Sequence, residues 1–389
     1  MKQETRILGK IWPERDKTPA TTINPPLYRG STVLFDGYKE MMQAGRHEYA
    51  GITYGTDRLP TQRQFEEAMR QLEGAAVTRM FQSGIAAIQT ALLAFTKSGD
   101  HILVVDNAYG PGRRFCKKVL TKFNIDFSAV PANVGADIAH AIRPNTSLIL
   151  LESPGSITFE LQDIPAITAI ARQKNIVTVL DATWATPLYL KPFKLGIDVS
   201  IHSVTKYISG YSDVLAGTVS VGERYAQSFA DFYKLMEIYT PAEECYLALR
   251  GLHSLATRLR QHERSALTIA TWLESEPLID QVLHPALASH PEHHLWQRDF
   301  SGSSGLFACT FKKDYSEEQL RSFIDALELF QLGYSWGGYQ SLLTAARITR
   351  ALPSRYAGKT VVRLNIGLED CDDLVADLAH GLSRLQHLA

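Results

Sequence analysis

Lys206 is the side chain in this sequence best placed to do chemistry. It closes the run Ser203-Val204-Thr205-Lys206, just past the apolar stretch DVSIHS (198–203), which reads as a buried strand. An amine with small hydroxylic neighbours suits covalent capture of an aldehyde, since a Schiff-base lysine works when its surroundings lower its pKa or when it is already condensed. The same SxxK spacing occurs in serine acyl-transfer enzymes, but those also need SDN and KTG elements. Tyr211-Ser212-Asp213 and Gly358-Lys359-Thr360 supply neither. The aldehyde that fits is pyridoxal phosphate (PLP). It requires a carboxylate for the pyridinium nitrogen, a cradle for the phosphate and an aromatic plate over the ring.

Each part has a candidate. Asp181 closes the strand-like run IVTVLD (176–181), where a carboxylate keeps a pyridine nitrogen protonated and the ring an electron sink; a strand-end aspartate capping a turn is the plainer reading. Ser83-Gly84-Ile85 opens a stretch with Ile85, Ile88, Leu92 and Phe95 at helical spacing, so its backbone N–H groups suit a phosphate, although a serine there is also an ordinary cap. Ser203 and Thr205 add hydroxyl donors. Tyr109 follows the run HILVVD (101–106) and is expected either to lie flat on the ring or to pack in a loop.

These residues need a scaffold of buried strands. HILVVD, SLILLE (147–152), IVTVLD and DVSIHS are short, β-branched and apolar on both faces, as in a sheet covered by helices on both sides. Their alternation with helical patterns implies an α/β domain with a mostly parallel sheet. We place it at 55–244, behind an extended arm at 1–54 that ends in a polar, turn-rich stretch. A long helix at 245–276 leads into a smaller α+β domain at 245–389. This domain has strands at GLFACTF (305–311) and VVRLNIG (361–367), and the capping-box signature Ser316-Glu317-Glu318-Gln319. A last helix carries Leu374, Val375, Leu378, Leu382 and Leu385 on one face.

Among the 389 residues, 40 Lys and Arg against 41 Asp and Glu give a net charge of −1. That excludes nucleic-acid binding through a strongly basic surface. Hydrophobic residues at 45% and charged residues at 21% are ordinary for a globular protein. The cysteines Cys116, Cys245, Cys309 and Cys371 form no CxxC pair, so no zinc ribbon or thioredoxin-type motif, and no metal site, is expected. Neither a signal-type apolar run at the N-terminus nor a membrane-length apolar window is found, and a soluble, cytoplasmic protein is expected.

Taken together, these segments resemble the Cys/Met-metabolism family of PLP-dependent enzymes, of the fold-type I, aspartate-aminotransferase-like group. The resemblance spans nearly the whole chain. It rests on Asn24-Pro25-Pro26-Leu27-Tyr28-Arg29-Gly30-Ser31-Thr32, Tyr54-Gly55, Ser83-Gly84, Ala108-Tyr109, Asp181-Ala182-Thr183-Trp184, Ser203-Val204-Thr205-Lys206-Tyr207 and Arg363-Leu364-Asn365-Ile366-Gly367-Leu368-Glu369-Asp370. ESPGSIT (152–158), GSSGLF (302–307) and Tyr334-Ser335-Trp336-Gly337-Gly338-Tyr339 are nearest to the carbon–sulfur β-lyases of the family.

The resemblance implies that Lys206 holds PLP as a Schiff base and, once freed by the substrate amine, acts as general base on the Cα proton, with Tyr109 assisting. It implies that Arg363 binds the substrate carboxylate, flanked by Ser335, Trp336 and Tyr334. Tyr54 would reach the cofactor phosphate of a neighbouring subunit in a homotetramer built from dimers. The expected reaction is β-elimination from L-cystathionine or a related thioether, giving homocysteine, pyruvate and ammonia. A γ-elimination or replacement enzyme is the alternative, and a PLP-binding regulatory protein a more distant one. The chain departs from the family where Tyr-Gly-Arg is usual: Thr56 takes the arginine's place, with Arg58 two residues on. Either Arg58 moves into the role, or neutral donors hold the phosphate. Ala182, Tyr211 and Gln340 are further departures.

Overall fold

The computed structural model describes residues 2–8, 22–46 and 48–387. Seven strands form the larger sheet: β1 (Val77–Phe81), β2 (His101–Val105), β3 (Asp126–Val130), β4 (Thr146–Glu152), β5 (Val177–Asp181), β6 (Val199–Ser203) and β7 (Gly217–Val221). They lie in the order β1-β7-β6-β5-β4-β2-β3, and only β7 runs against its neighbours. The expected α/β fold with a mostly parallel sheet is therefore present. The Val, Ile and Leu of these runs are buried on both faces, and β2 is buried along its whole length. Parallel strands require this, because their crossover helices cover both sides.

The connections also fix where a ligand sits. Strands β4, β5 and β6 are neighbours and parallel, so their C-terminal residues share one edge. Glu152 and Asp181 stand directly across from each other in the β4–β5 ladder, and Ser203 ends β6 beside them. In open α/β sheets the crevice beyond such carboxyl ends is the usual binding place.

Helix α1 (Pro60–Glu73) starts with proline at its first position and stops at Gly74, whose φ of +73° is a left-handed cap that glycine adopts without strain. It buries Phe65, Met69 and Leu72 against Leu249, Leu252 and Leu255 of a long helix, each such side chain contributing about 1.5–3 kcal/mol. Helix α2 (Gly84–Ala94) follows β1, and α3 (Gly110–Lys118) follows β2. The long helix, α4 (Ala242–Ser275), then runs from the larger sheet to the second one. Sheet two holds β8 (Ile279–Leu283), β9 (Leu306–Phe311), β10 (Gln331–Leu332), β11 (Leu342–Arg347) and β12 (Thr360–Asn365), in the order β10-β11-β12-β9-β8. Its core joins Phe307, Val362 and Leu364 to Phe323 of α5 (Glu317–Ile324) and to Leu374, Leu378 and Leu382 of α6 (Cys371–His387). Ser316 and Gln319 form the capping box that their spacing predicts.

The N-terminal region is less extended than expected. Short helices form at Gln3–Leu8 and Tyr38–Gly45, the second built from good helix formers such as Lys39, Glu40, Met41 and Ala44. It buries none of its side chains, so tertiary packing leaves no periodicity in its sequence. Residues 9–21 and 47 of the expected arm lie outside the described residues. No helix among the described residues is long and apolar enough to cross a membrane.

Candidate active site

A cavity of about 240 Å³ opens where the C-terminal edge of the larger sheet meets the loops of the second. Lys206 enters it from the turn after β6. Its Nζ donates to Ser335 Oγ at 2.9 Å and lies 5.2 Å from the centre of the Trp336 ring. The loop carrying Ser335 reaches this close because Gly337 has no side chain. A Cβ there would lie 2.8 Å from the Tyr207 nitrogen and 3.0 Å from the Lys206 carbonyl carbon, and its φ of +80° is also left-handed. Asn365 of β12 holds the loop through Gly337 N–H to Oδ1 at 2.8 Å and Nδ2 to Gln340 O at 3.0 Å. Burial, then the nearby Arg363, lowers the Lys206 ammonium to about 8, while Asp181 opposes them. An uncharged amine is thus within reach near neutral pH.

Asp181 is oriented by the turn that follows β5. Thr183 donates to Oδ1 from both its N–H (3.0 Å) and its hydroxyl (2.5 Å), and the same hydroxyl accepts from Ser203 N–H at 2.8 Å. Oδ2 accepts from no described residue and belongs to the cavity wall. Burial raises the Asp181 pKa, against Thr183, His202 and Lys206.

Glu152 shares this cavity and had no place among the sequence-predicted site residues. Its Oε2 accepts from Tyr109 N–H at 2.5 Å and its Oε1 from Ser156 Oγ at 2.9 Å. Burial, followed by the Asp181 carboxylate alongside, pushes its pKa up to about 8. Two neighbouring carboxyl groups in a low-dielectric wall do not readily both ionise. The available signal was the shared ending of SLILLE and IVTVLD in a carboxylate, which becomes informative only once β4 and β5 are known to be adjacent.

At the start of α2, Ser83 Oγ caps the helix by accepting from Ala86 N–H at 3.1 Å. Gly84 and Ile85 line the cavity, and as the first helical residues their N–H groups have no intrahelical acceptor. A Cβ on Gly84 would fall 2.7 Å from Ser203 Oγ, so glycine keeps that hydroxyl next to the helix start. The Thr205 hydroxyl is engaged instead, donating to Ala216 O and accepting from Ala216 N–H.

Opposite stands Arg363, in the middle of β12 between Ala308 and Thr344. Its Nη2 donates to the carbonyls of Tyr334 (2.9 Å) and Ser335 (3.4 Å), leaving Nε and Nη1 without an acceptor among the described residues. Burial lowers its pKa. Tyr109 forms the N-cap position of α3 and lines the cavity; Tyr334 lines it as well but is largely exposed.

Ser335 does not line this cavity itself and meets it only by accepting from Lys206 Nζ, and three further expected site residues lie away from it within one chain. Tyr54 is half exposed and bridges to Thr32. Thr56 lines a separate, much smaller cavity. Arg58, at φ +66°, turns inward to Glu66 at 3.2 Å, and Arg79 approaches the same carboxylate at 3.6 Å.

A buried amine, a carboxylate with an unpaired oxygen, a helix start beside a free hydroxyl, and a guanidinium with two open donors meet PLP's chemical demands. This donor set on the carboxyl edge of a parallel sheet defines a lysine-dependent PLP enzyme of fold-type I. Residues 10–383 match the family described as Cys/Met metabolism PLP-dependent enzyme, and the chain belongs to it. It is 40% identical over 371 residues to "Cystathionine beta-lyase MetC" of Escherichia coli K12, covering 93% of this chain and 94% of that one. It is 37% identical over 377 residues to "L-alanine/L-glutamate racemase" of Wolbachia pipientis wMel, covering 94% and 93%. The crystal structure of metB from Corynebacterium glutamicum superposes with a TM-score of 0.90 at 29% identity, covering 100% of this chain and 99% of that one.

Proposed function

We propose that this protein is a carbon–sulfur β-lyase that cleaves L-cystathionine, with water, to homocysteine, pyruvate and ammonia. The observation that carries the reading is the meeting of Lys206 and Arg363 at one loop: Ser335 accepts from the first through Oγ and from the second through its carbonyl. When bound, PLP supplies an electron sink for the carbanion formed on loss of the Cα proton. Lys206 holds the cofactor and later takes that proton at Nζ. Asp181 holds the proton on the ring nitrogen. The N–H groups of Gly84 and Ile85, with Ser83 and the Ser203 hydroxyl, hold the phosphate, and Thr205 shapes the turn beside it. Arg363 grips the substrate carboxylate, Trp336 and Tyr334 wall the pocket, and Tyr109 covers the ring. Residues 55–244 carry the cofactor and 245–389 the carboxylate grip. Incubation with L-cystathionine and identification of the keto acid tests the proposal, since γ-elimination would give 2-oxobutyrate instead of pyruvate. The similarity to the Wolbachia racemase favours a second reading, amino-acid racemisation, which chiral analysis of L-alanine incubations would reveal.

Arg363→Lys is expected to lower kcat/KM about 10- to 150-fold despite keeping the charge. A lysine cannot make two parallel hydrogen bonds to a carboxylate, and one charged hydrogen bond contributes about 1.5–3 kcal/mol. A variant equal to wild type in steady-state kinetics would show that Arg363 does not touch the substrate.

A homotetramer built from dimers with shared sites accounts for Tyr54 lying outside its own chain's cavity, and for the exposed Ile23, Leu27 and Leu34 near it in sequence. The four free thiols fit a cytoplasmic setting. Tyr54 and Thr56 then face the partner's phosphate, while Arg58 stays with Glu66 and the phosphate meets neutral donors. Arg58→Ala is accordingly expected to leave PLP dissociation unchanged and to cost about 1–3 kcal/mol of stability. Thr56→Arg is expected to tighten PLP by about 0.5–2 kcal/mol. Equilibrium dialysis of both variants decides between the two arrangements, and loss of cofactor from Arg58→Ala would assign the phosphate to Arg58.

A further inference from the structure

Glu152 does more than fill the cavity wall. Two loops leave the sheet edge side by side, 106–109 after β2 and 153–159 after β4, and they are stitched together along their length. Ser156 N–H donates to Asn107 O at 2.8 Å, and Asn107 Nδ2 donates to Glu160 O at 3.2 Å. Gly155 packs so tightly against the Asn107 side chain that no Cβ could be accommodated there. From the second sheet's side, Arg350 donates to Asp106 O at 2.9 Å and to the Thr158 hydroxyl. The innermost stitch is Glu152, which joins the end of β4 to Tyr109 N–H on one loop and to Ser156 Oγ on the other.

This wall is held under strain. Ile157 and Phe159 both have left-handed backbones, with φ of +71° and +55°. For a β-branched residue such as Ile157 that conformation is an outlier, costing on the order of 1–3 kcal/mol, and it persists only where the surroundings over-determine it. The Tyr109 side chain caps nothing in α3 and is almost half exposed, and its own helix holds the residue only through Arg113 N–H donating to its carbonyl at 3.1 Å. On its nitrogen side, Tyr109 is held by Glu152.

We propose that Glu152 is a positioning residue that fixes the Tyr109 ring at the cofactor site, by holding the Tyr109 N–H on one carboxylate oxygen while Ser156 orients the other. The proposal rests on the assignment of this cavity to PLP. It requires an acceptor at position 152 rather than a negative charge. A glutamine keeps the acceptor, with its amide N–H₂ donating to Ser156 Oγ.

The experiment uses PLP-loaded protein and reads the visible circular dichroism of the bound cofactor together with kcat and KM. Glu152→Ala is expected to weaken the dichroism and lower kcat about 10- to 100-fold, the scale of a roughly 1 Å misplacement, with little change in KM. Glu152→Gln should restore both to within about 3-fold of wild type. In a Tyr109→Ala background, Glu152→Ala should cost less than about 3-fold more, because the group it acts through is gone. Should Glu152→Ala not fold, Ser156→Ala carries the test, with an expected loss of about 3- to 10-fold that likewise vanishes in the Tyr109→Ala background. Losses that multiply fully in that background, or a wild-type dichroism for Glu152→Ala, would overturn the proposal. The dichroism needs no substrate, so an error in the β-lyase assignment would alter the kinetic comparison alone.

Discussion

Replacing Lys206 by alanine is expected to abolish the visible absorbance of covalently held cofactor and to reduce elimination by roughly 10⁴-fold, the upper end of what one positioned general base contributes. In the proposed mechanism the same nitrogen both holds the cofactor and takes the Cα proton, so no neighbour would take over both tasks. Among the described residues lining the cavity, the only other cation is Arg363, and its guanidinium is a poor base. The lowered Lys206 pKa adds a pH signature. Burial and Arg363 penalise its charged form, so the free-amine fraction of the apoprotein rises through about pH 8 rather than through the ordinary lysine range. The rate of PLP capture should therefore climb with pH and level off above about 8. Stopped-flow absorbance would measure this, and a rate still climbing steeply at pH 10 would show that the amine is not lowered.

The second large effect is expected at Asp181. Asp181→Asn keeps the shape and the Thr183 contact but removes the charge that, in the proposed mechanism, would hold a proton on the ring nitrogen. The loss in kcat should reach about 10²–10³-fold, the scale of deleting one preorganised electrostatic group in a water-poor site. Cofactor retention should also fall, because a charge-assisted hydrogen bond is about twice as strong as a neutral one. Steady-state kinetics with spectroscopic titration of PLP would check both, and a change below about 3-fold in kcat would place the ring nitrogen elsewhere. Burial raises the pKa of Asp181 even against His202 and Lys206, so a further cation beside the carboxylate would favour its ionised state.

How far the sequence could be read depended on whether a signal was local. Lys206 just past β6 and Asp181 at the end of β5 are marked as candidates by pattern, whereas Arg363, mid-strand in β12, is marked by the family resemblance. The parallel order of β4, β5 and β6 follows from strand–helix alternation, whereas the reversed β7 between β1 and β6 leaves no such trace. Glu152 was in plain view, but a carboxylate closing a strand usually caps a turn. Only its register with Asp181 gives it weight, and register is a long-range fact. The inward turn of Arg58 depends on a left-handed backbone at a non-glycine residue, which propensity disfavours, and on a glutamate one helix further on. The helix at Tyr38–Gly45 escaped because no buried face imposes a period on it.

The Lys206–Ser335 contact joins residues 129 positions apart, one in the turn after β6 and the other in the loop between β10 and β11. With the Gly337 backbone pressed on that of Lys206, the proposed amine and carboxylate grip come from opposite sides of one tight contact. The larger sheet alone lacks the Arg363 guanidinium, and the second alone lacks the Lys206 amine. Contacts of such high sequence separation form only after the chain has closed a long loop, against a substantial entropic cost. On refolding from denaturant, helix content should recover first and turnover last, once both sheets have docked and the proposed pairing of subunits has completed each site. The return of turnover is thus expected to time the last step of assembly rather than the collapse of the chain.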